Sequence, residues 1–145
     1  MAIFLDTGFY LGLIHSKDTN FDRAQELLRE IQTGKLGQIY SSRLIMAETG
    51  TIVAVRTHKN QKALEKARDL FIGDLQIATI LSLTESTEKK AWDIFIEANS
   101  EKKSPKRNKI LSFVDCSNII LCKEHGIDNI LAFDGDFHGW LDVTS

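Results

Sequence analysis

Two short apolar runs near opposite ends of this chain, residues 2–5 (AIFL) and 130–133 (ILAF), do most to limit its fold. Each is too brief for a helix and too continuously apolar for a strand with one face in water, so each reads as a strand buried on both sides. Between them lie segments with helical spacing of apolar residues. Phe21, Ala24, Leu27, Leu28 and Ile31 form one stripe, Ala63, Leu64, Ala67, Leu70 and Phe71 a second, and Ala91, Trp92, Phe95 and Ile96 a third that is expected to face inward. Further strands are expected at Ile39 and Tyr40, within residues 75–83, and at the edge in residues 140–143. Helices are expected from Thr7 to about Ile14, after Ser41 or Ser42, and over residues 113–125, with Gly34, Gly73 and Gly126 as stops. Short buried strands alternating with helices predict the α/β class, a three-layer α/β/α arrangement around a central, mainly parallel sheet.

At 145 residues with 43% hydrophobic content, the chain has enough material for one core, and a single domain over residues 1–145 is expected. No helical stretch is long enough to span a bilayer, because Asp6 interrupts the apolar N-terminal run. Cys116 and Cys122 share one predicted helix at a spacing of about 9 Å along its axis, too far to bridge there. Without a cysteine framework the chain reads as cytoplasmic. Eighteen basic and twenty acidic residues leave a net charge of -2, so any polyanionic partner must be held by a local basic patch or through a metal.

Four acids carry the clearest chemical signal: Asp6 in AIFLDTGFY, Glu48 in SSRLIMAETG, Asp115 in LSFVDCSNIIL and Asp134 in NILAFDGDF. Each has an ordinary explanation by itself. Asp6 suits a helix N-cap, Glu48 a solvated helix face, Ser112-x-x-Asp115 a capping box and Asp134-Gly135 a turn. Together they differ from that background, because three of them interrupt strongly apolar text with no Lys or Arg beside them. A carboxylate at a core edge is costly unless hydrogen-bonded, paired or metal-bound, and clustered carboxylates repel one another until a divalent cation intervenes. Oxygen-only ligands favour Mg²⁺ or Mn²⁺. Dispersed histidines and a lone Cys122-x-x-His125 pair do not compose a zinc site. The glycine-rich signatures of dinucleotide and P-loop sites, and the GxSxG of serine hydrolases, are missing from the sequence.

Taken in order, FLDTGF, the glutamate in the helix after the second strand, LSFVDCSNIILCKEHGI and AFDGDF resemble the acidic motifs of PIN domains, in particular those of the VapC-type toxins of toxin–antitoxin pairs. The likeness covers essentially the whole chain. It implies a PIN-like fold and a metal-dependent ribonuclease that cuts single-stranded or looped RNA, working as a homodimer and neutralised by a small antitoxin protein. Asp6, Glu48 and Asp115 match the family's metal-binding acids, Asp134 the fourth, and Thr7 the hydroxyl residue that helps fix the site. Asp136 offers a substitute for the fourth acid or an outer-shell group, and Gly8 departs from the small polar residue usual at its position.

The run Lys102, Lys103, Lys106, Arg107 and Lys109 puts five positive charges within eight positions just before the helix bearing Asp115. It reads as a candidate RNA-tracking patch, or else as a solvated loop. Residues 44–71, where Ile52, Val53 and Val55 exceed the needs of one core-facing stripe, are the expected dimer surface. Three alternatives remain at this point: a PIN nuclease of RNA processing without an antitoxin, a haloacid-dehalogenase-like phosphohydrolase and a non-catalytic binding module.

Overall fold

A computed structural model describes residues 1–100 and 110–145. The strands β1 (Ala2–Leu5), β2 (Gln38–Ser42), β3 (Thr79–Leu81), β4 (Asn129–Leu131) and β5 (Asp142–Thr144) form one sheet in the order β3-β2-β1-β4-β5, with every neighbouring pair parallel. The apolar run at residues 2–5 is thus the middle strand, with Phe4 and Leu5 fully buried against Ile130 and Leu131 of β4. Burial on both faces is what a continuous apolar strand requires.

After β1 come α1 (Thr7–Ile14) and α2 (Phe21–Gln32), then β2, α3 (Arg43–Arg56), α4 (Gln61–Ile72) and β3. Both crossovers step outward in the same direction. The next, through α5 (Glu85–Ala98) and α6 (Phe113–Glu124), returns past β1 to β4. Right-handed crossovers therefore place α1 to α4 on one face and α5 with α6 on the other. The contacts agree, since α1 packs on α2, α3 and α4, while α5 packs on α6. The three-layer parallel fold expected from the sequence is the observed one.

Local chemistry explains how the elements begin and end. α1, with the sequence TGFYLGLI, is apolar nearly all round and is buried on almost every side, as such a helix must be. Ser42, Asn60, Thr84 and Ser112 each accept a backbone N–H two or three residues into the helix that follows. Gly126 closes α6 at φ 65°, in the left-handed region that glycine adopts without strain. Among the described residues no helix is long and apolar enough to cross a membrane.

Three expectations shift. The third strand is only Thr79–Leu81, and the fourth stops at Leu131, leaving Ala132 and Phe133 to lead into a turn. The inward face of α5 is Thr87, Ala91 and Ile94; Trp92 and Ile96 are 52% and 64% exposed. Trp92 instead flanks the core, packing on Phe95 and Phe113 at ring-centroid distances of 5.5 and 5.0 Å. Aromatic contacts along the helix edge satisfy a residue that the sequence pattern assigned to the interior. The five basic residues from Lys102 to Lys109 lie outside the described residues.

Two helical glycines provide a test of this packing. A Cβ at Gly12 would stand 2.9 Å from the Cβ of Ala24, where α1 meets α2, whereas one at Gly50 in α3 would meet nothing within 4 Å. Gly50→Ala is expected to stabilise the protein by about 1 kcal/mol, and Gly12→Val to destabilise it by about 1–3 kcal/mol. Urea unfolding of the two variants checks both signs.

Candidate active site

The direction of strand order reverses between β1 and β4, because the chain moves from β1 to β2 on one side and arrives at β4 on the other. In an open parallel sheet such a reversal opens a crevice beyond the carboxyl ends of the two strands. Asp6 follows β1 directly, and its backbone N–H continues the ladder to the Leu131 carbonyl at 3.1 Å. Asp134 lies three residues beyond the end of β4. Asp115 enters from the first turn of α6, where Ser112 Oγ accepts its N–H at 3.0 Å. Glu48 enters from α3.

These four acids line one cleft of about 520 Å³, together with Thr7, Asp18, Arg56, Ser112, Asp136 and others. A larger concavity of about 660 Å³ lies by the amino-terminal ends of β4 and β5, lined by Cys122, Lys123, Trp140 and Asp142 among others. Among the described residues its only carboxylates are Asp128 and Asp142, so size and chemistry point to different places, and the chemistry decides.

The ordinary explanations fare unequally. Asp6 occupies the N-cap position of α1, yet its side chain makes no capping hydrogen bond while being only 5% exposed. Capping therefore does not explain its burial. Asp134 does serve a turn, since its Oδ1 accepts the Asp136 N–H at 3.1 Å. Glu48 accepts the Thr7 hydroxyl at 2.7 Å, which ties α3 to the start of α1 and fixes the glutamate's direction. Ser112 caps α6, as the sequence motif suggested.

Burial holds the Asp6 carboxyl well above its usual range, and the charges of Asp115, Asp134 and Glu48 push it further. The Thr7 backbone N–H draws it partly back. Asp115 is raised to about 6, chiefly by burial and then by Asp136, Asp134 and Glu48, against a hydrogen bond from Ser112. Asp134 thus acts on both raised acids, the buried Asp6 and the half-buried Asp115, whereas of the two Asp136 presses on Asp115. Burial also lifts the Cys116 and Cys122 thiols to about 11 and about 12, which leaves neither as a ready nucleophile.

Among the described residues no three His, Cys, Asp or Glu side chains already converge closely enough to hold an ion. The carboxylates stand around the cleft instead, the arrangement that like charges favour. Their donor atoms are all oxygens, which suits Mg²⁺ or Mn²⁺ rather than zinc. Two lining residues escaped the sequence reading. Neither Arg56 nor Asp18 was singled out in the sequence as a site residue. The spacing of Arg56, eight residues after Glu48 and so about two turns along α3, was the available signal.

Comparison with known proteins agrees with this fold. A family model described as "PIN domain" matches residues 3–139. The 23S rRNA-specific endonuclease VapC20 of Mycobacterium tuberculosis is 25% identical over 146 aligned positions, covering 97% of this chain and 97% of that protein. The crystal structure of the M. tuberculosis VapC20, described as a sarcin–ricin loop cleaving toxin, superposes with a TM-score of 0.76 at 24% identity, covering 97% of this chain and 98% of the other. VapBC2 from Rickettsia felis, solved with a DNA fragment from its promoter, gives a TM-score of 0.65 at 16% identity over 99% of this chain and 98% of the other.

The raised acids have a consequence for stability. In the cation-free folded chain Asp115 stays protonated up to about pH 6, while unfolding returns it to an ordinary carboxyl near 3.8. Folding therefore takes up a proton between those values, and the associated stability, complete at low pH, is lost as pH rises through about 6. In EDTA, Asp115→Asn should melt near the wild-type temperature at pH 4 and roughly 3 °C or more above it at pH 8. Calorimetric melting of both proteins across this range checks the sign.

Proposed function

The chain belongs to the PIN domain family, and on that premise we propose that it is a divalent-metal-dependent endoribonuclease hydrolysing phosphodiester bonds of single-stranded or looped RNA. The observation that carries this reading is the buried, uncapped Asp6 at the switch point of the sheet, facing the charges of Asp115, Asp134 and Glu48. A structural carboxylate would be paired or capping. One kept buried among other acids is suited to a cation.

In this proposal Asp6, Glu48, Asp115 and Asp134 hold Mg²⁺ or Mn²⁺, and the site fits such an ion by its donor chemistry. Bound there, the ion would supply a lowered water pKa and positive charge beside the phosphate. The chain's own contributions are positional. Thr7 sets Glu48 through the 2.7 Å hydrogen bond, and the first turn of α6 sets Asp115. Asp134 is assigned to the metal because it acts on both Asp6 and Asp115, and Asp136 to the outer shell beside Asp115. The basic run Lys102, Lys103, Lys106, Arg107 and Lys109 is kept as a proposed RNA contact.

The partners proposed are RNA, a second copy of the chain and a small antitoxin, in a cytoplasmic setting, with residues 1–145 acting as one nuclease domain. The mycobacterial relative's action on 23S rRNA supports a looped ribosomal target, and the VapBC2 assembly supports an antitoxin. For the homodimer, the helices α3 and α4 leave Val55 70% and Ile72 60% exposed, while Val53 is buried in the core and is withdrawn from the expected surface. A haloacid-dehalogenase arrangement loses ground, since its Asp-x-Asp should follow the first strand and here Asp134-Gly135-Asp136 follows the fourth.

Purified protein should cut unstructured RNA with Mg²⁺ or Mn²⁺ and stop in EDTA. Asp6→Asn and Asp115→Asn should each lower the rate by at least ~10²-fold. Asp134→Asn should weaken metal affinity and rate together, with Asp136→Asn leaving metal affinity nearly intact. Full activity in the Asp6 or Asp115 variant would refute the assignment.

A further inference from the structure

The acidic cleft does not end at its carboxylates. Arg56, the last residue of α3, lines it and also lines a second concavity of about 430 Å³. The two clefts therefore meet at one guanidinium. The second is walled by the turn after α1 and the turn between α3 and α4, including His15, Lys17, Thr57, His58 and Asn60, and among the described residues no Asp or Glu lines it. Charge changes sign from one cleft to the next: of the described residues, six carboxylates and a single cation line the first, while Arg56, Lys17, neutral polar groups and the apolar Ile14 and Ala63 line the second.

The wall is fixed, but its cations are not consumed. Asn60 caps α4 through a 3.0 Å bond from the Ala63 N–H, Thr57 Oγ1 donates to the Val53 carbonyl at 2.6 Å, and Lys59 N–H reaches the Ala54 carbonyl at 2.8 Å. Lys66 Nζ binds the Leu13 carbonyl at 3.0 Å, joining α4 to the end of α1. Arg56 Nη1 stands 3.6 Å from Asp18 Oδ2, beyond good hydrogen-bond length, with its side chain 52% exposed. The pair is long and open to solvent on the arginine side, while the Asp18 side chain is 11% exposed and also accepts the Asn20 N–H at 2.8 Å. Lys17 and His58 are exposed, and among the described residues neither has an ion-pair partner.

We propose that this second cleft binds the sugar–phosphate backbone of single-stranded RNA on one side of the scissile bond, with Arg56 exchanging Asp18 for a phosphate where the strand leaves the acidic centre. The inference rests on reading that centre as a nuclease site. An RNA flank there is repelled by every carboxylate not neutralised by metal, so it must leave toward positive charge, and Arg56 marks that exit. Continuity with the acidic cleft favours a strand passing through both over an acidic peptide, which would need only the second. The net charge of -2 offers no general attraction that would make a local cluster redundant.

The test compares cleavage of a twelve-nucleotide and a four-nucleotide RNA by the intact protein with Mg²⁺. Wild type should favour the longer substrate in kcat/KM, and Arg56→Gln and Lys17→Gln should each shrink that preference at least about fivefold, mainly through KM. The salt dependence of kcat/KM on the longer RNA should fall by about 0.7 in log–log slope for each phosphate that a variant no longer neutralises. Lys89→Gln, an exposed change on α5 across the sheet, should keep the wild-type preference. If wild type cuts RNA but the Arg56 and Lys17 variants retain its length preference and salt slope, the second-cleft assignment fails and the nuclease reading stands. If wild type cuts neither RNA, the nuclease reading itself fails. A polyglutamate peptide that blocks the longer RNA at lower concentration than competing RNA would reassign the cleft to an acidic protein segment.

Discussion

A carboxylate at the end of a central parallel strand has to be reconciled with its loss of water, and in this protein that requirement falls on Asp6. Its side chain is 5% exposed, makes no capping bond and feels three other acids. One backbone N–H from Thr7 offsets only part of the cost. Such a residue is tolerated because the surrounding sheet and the nearly all-apolar α1 supply the core that holds it in place. The fold thus stores unfavourable electrostatics at one point, and a divalent cation is the simplest species that would relieve it.

The topology gathers the remaining groups. Reversal of strand order between β1 and β4 brings residues 6 and 134 to the same edge although they are far apart in sequence. The crossover through α5 and α6 delivers the N-terminus of α6, and Asp115 with it, to that edge from one face, while α3 delivers Glu48 from the other. Backbone N–H groups at the starts of α1 and α6 add positive partial charge there, moderating repulsion without neutralising it. Thr7 then ties the start of α1 to α3, on the face that carries Glu48, by its hydrogen bond to that glutamate. Each device is small, and their common effect is a cleft prepared for positive charge.

Much of this was legible in the sequence because it depends on local rules. The run at residues 2–5 is β1 as read, and the stripes at 21–31 and 63–71 give α2 and α4, since apolar periodicity and burial coincide there. Asp6, Asp115 and Asp134 stood out by interrupting apolar text, whereas Glu48 was a weaker candidate, set where a short apolar run meets a helix and equally readable as a solvated helix residue. Trp92 was misplaced because an aromatic on a helix edge scores like a core residue, although its neighbours Phe95 and Phe113 satisfy it at the surface; Ile96 is simply exposed. Arg56 and Asp18 were missed for a different reason. Their meaning comes from two turns packing side by side beyond the sheet, a tertiary event with no local pattern.

The central claim, that buried carboxylates held above their usual pKa await a cation, is tested most directly by Mn²⁺ titration calorimetry at pH 6 in two buffers of different ionisation enthalpy. Cation binding should displace protons from Asp6 and Asp115, so the account predicts saturable binding with about one proton or more released per ion. Release should diminish at higher pH, and Asp6→Asn should weaken the binding. Binding without proton release that is unchanged in Asp6→Asn, or no saturable binding to the folded protein, would contradict it.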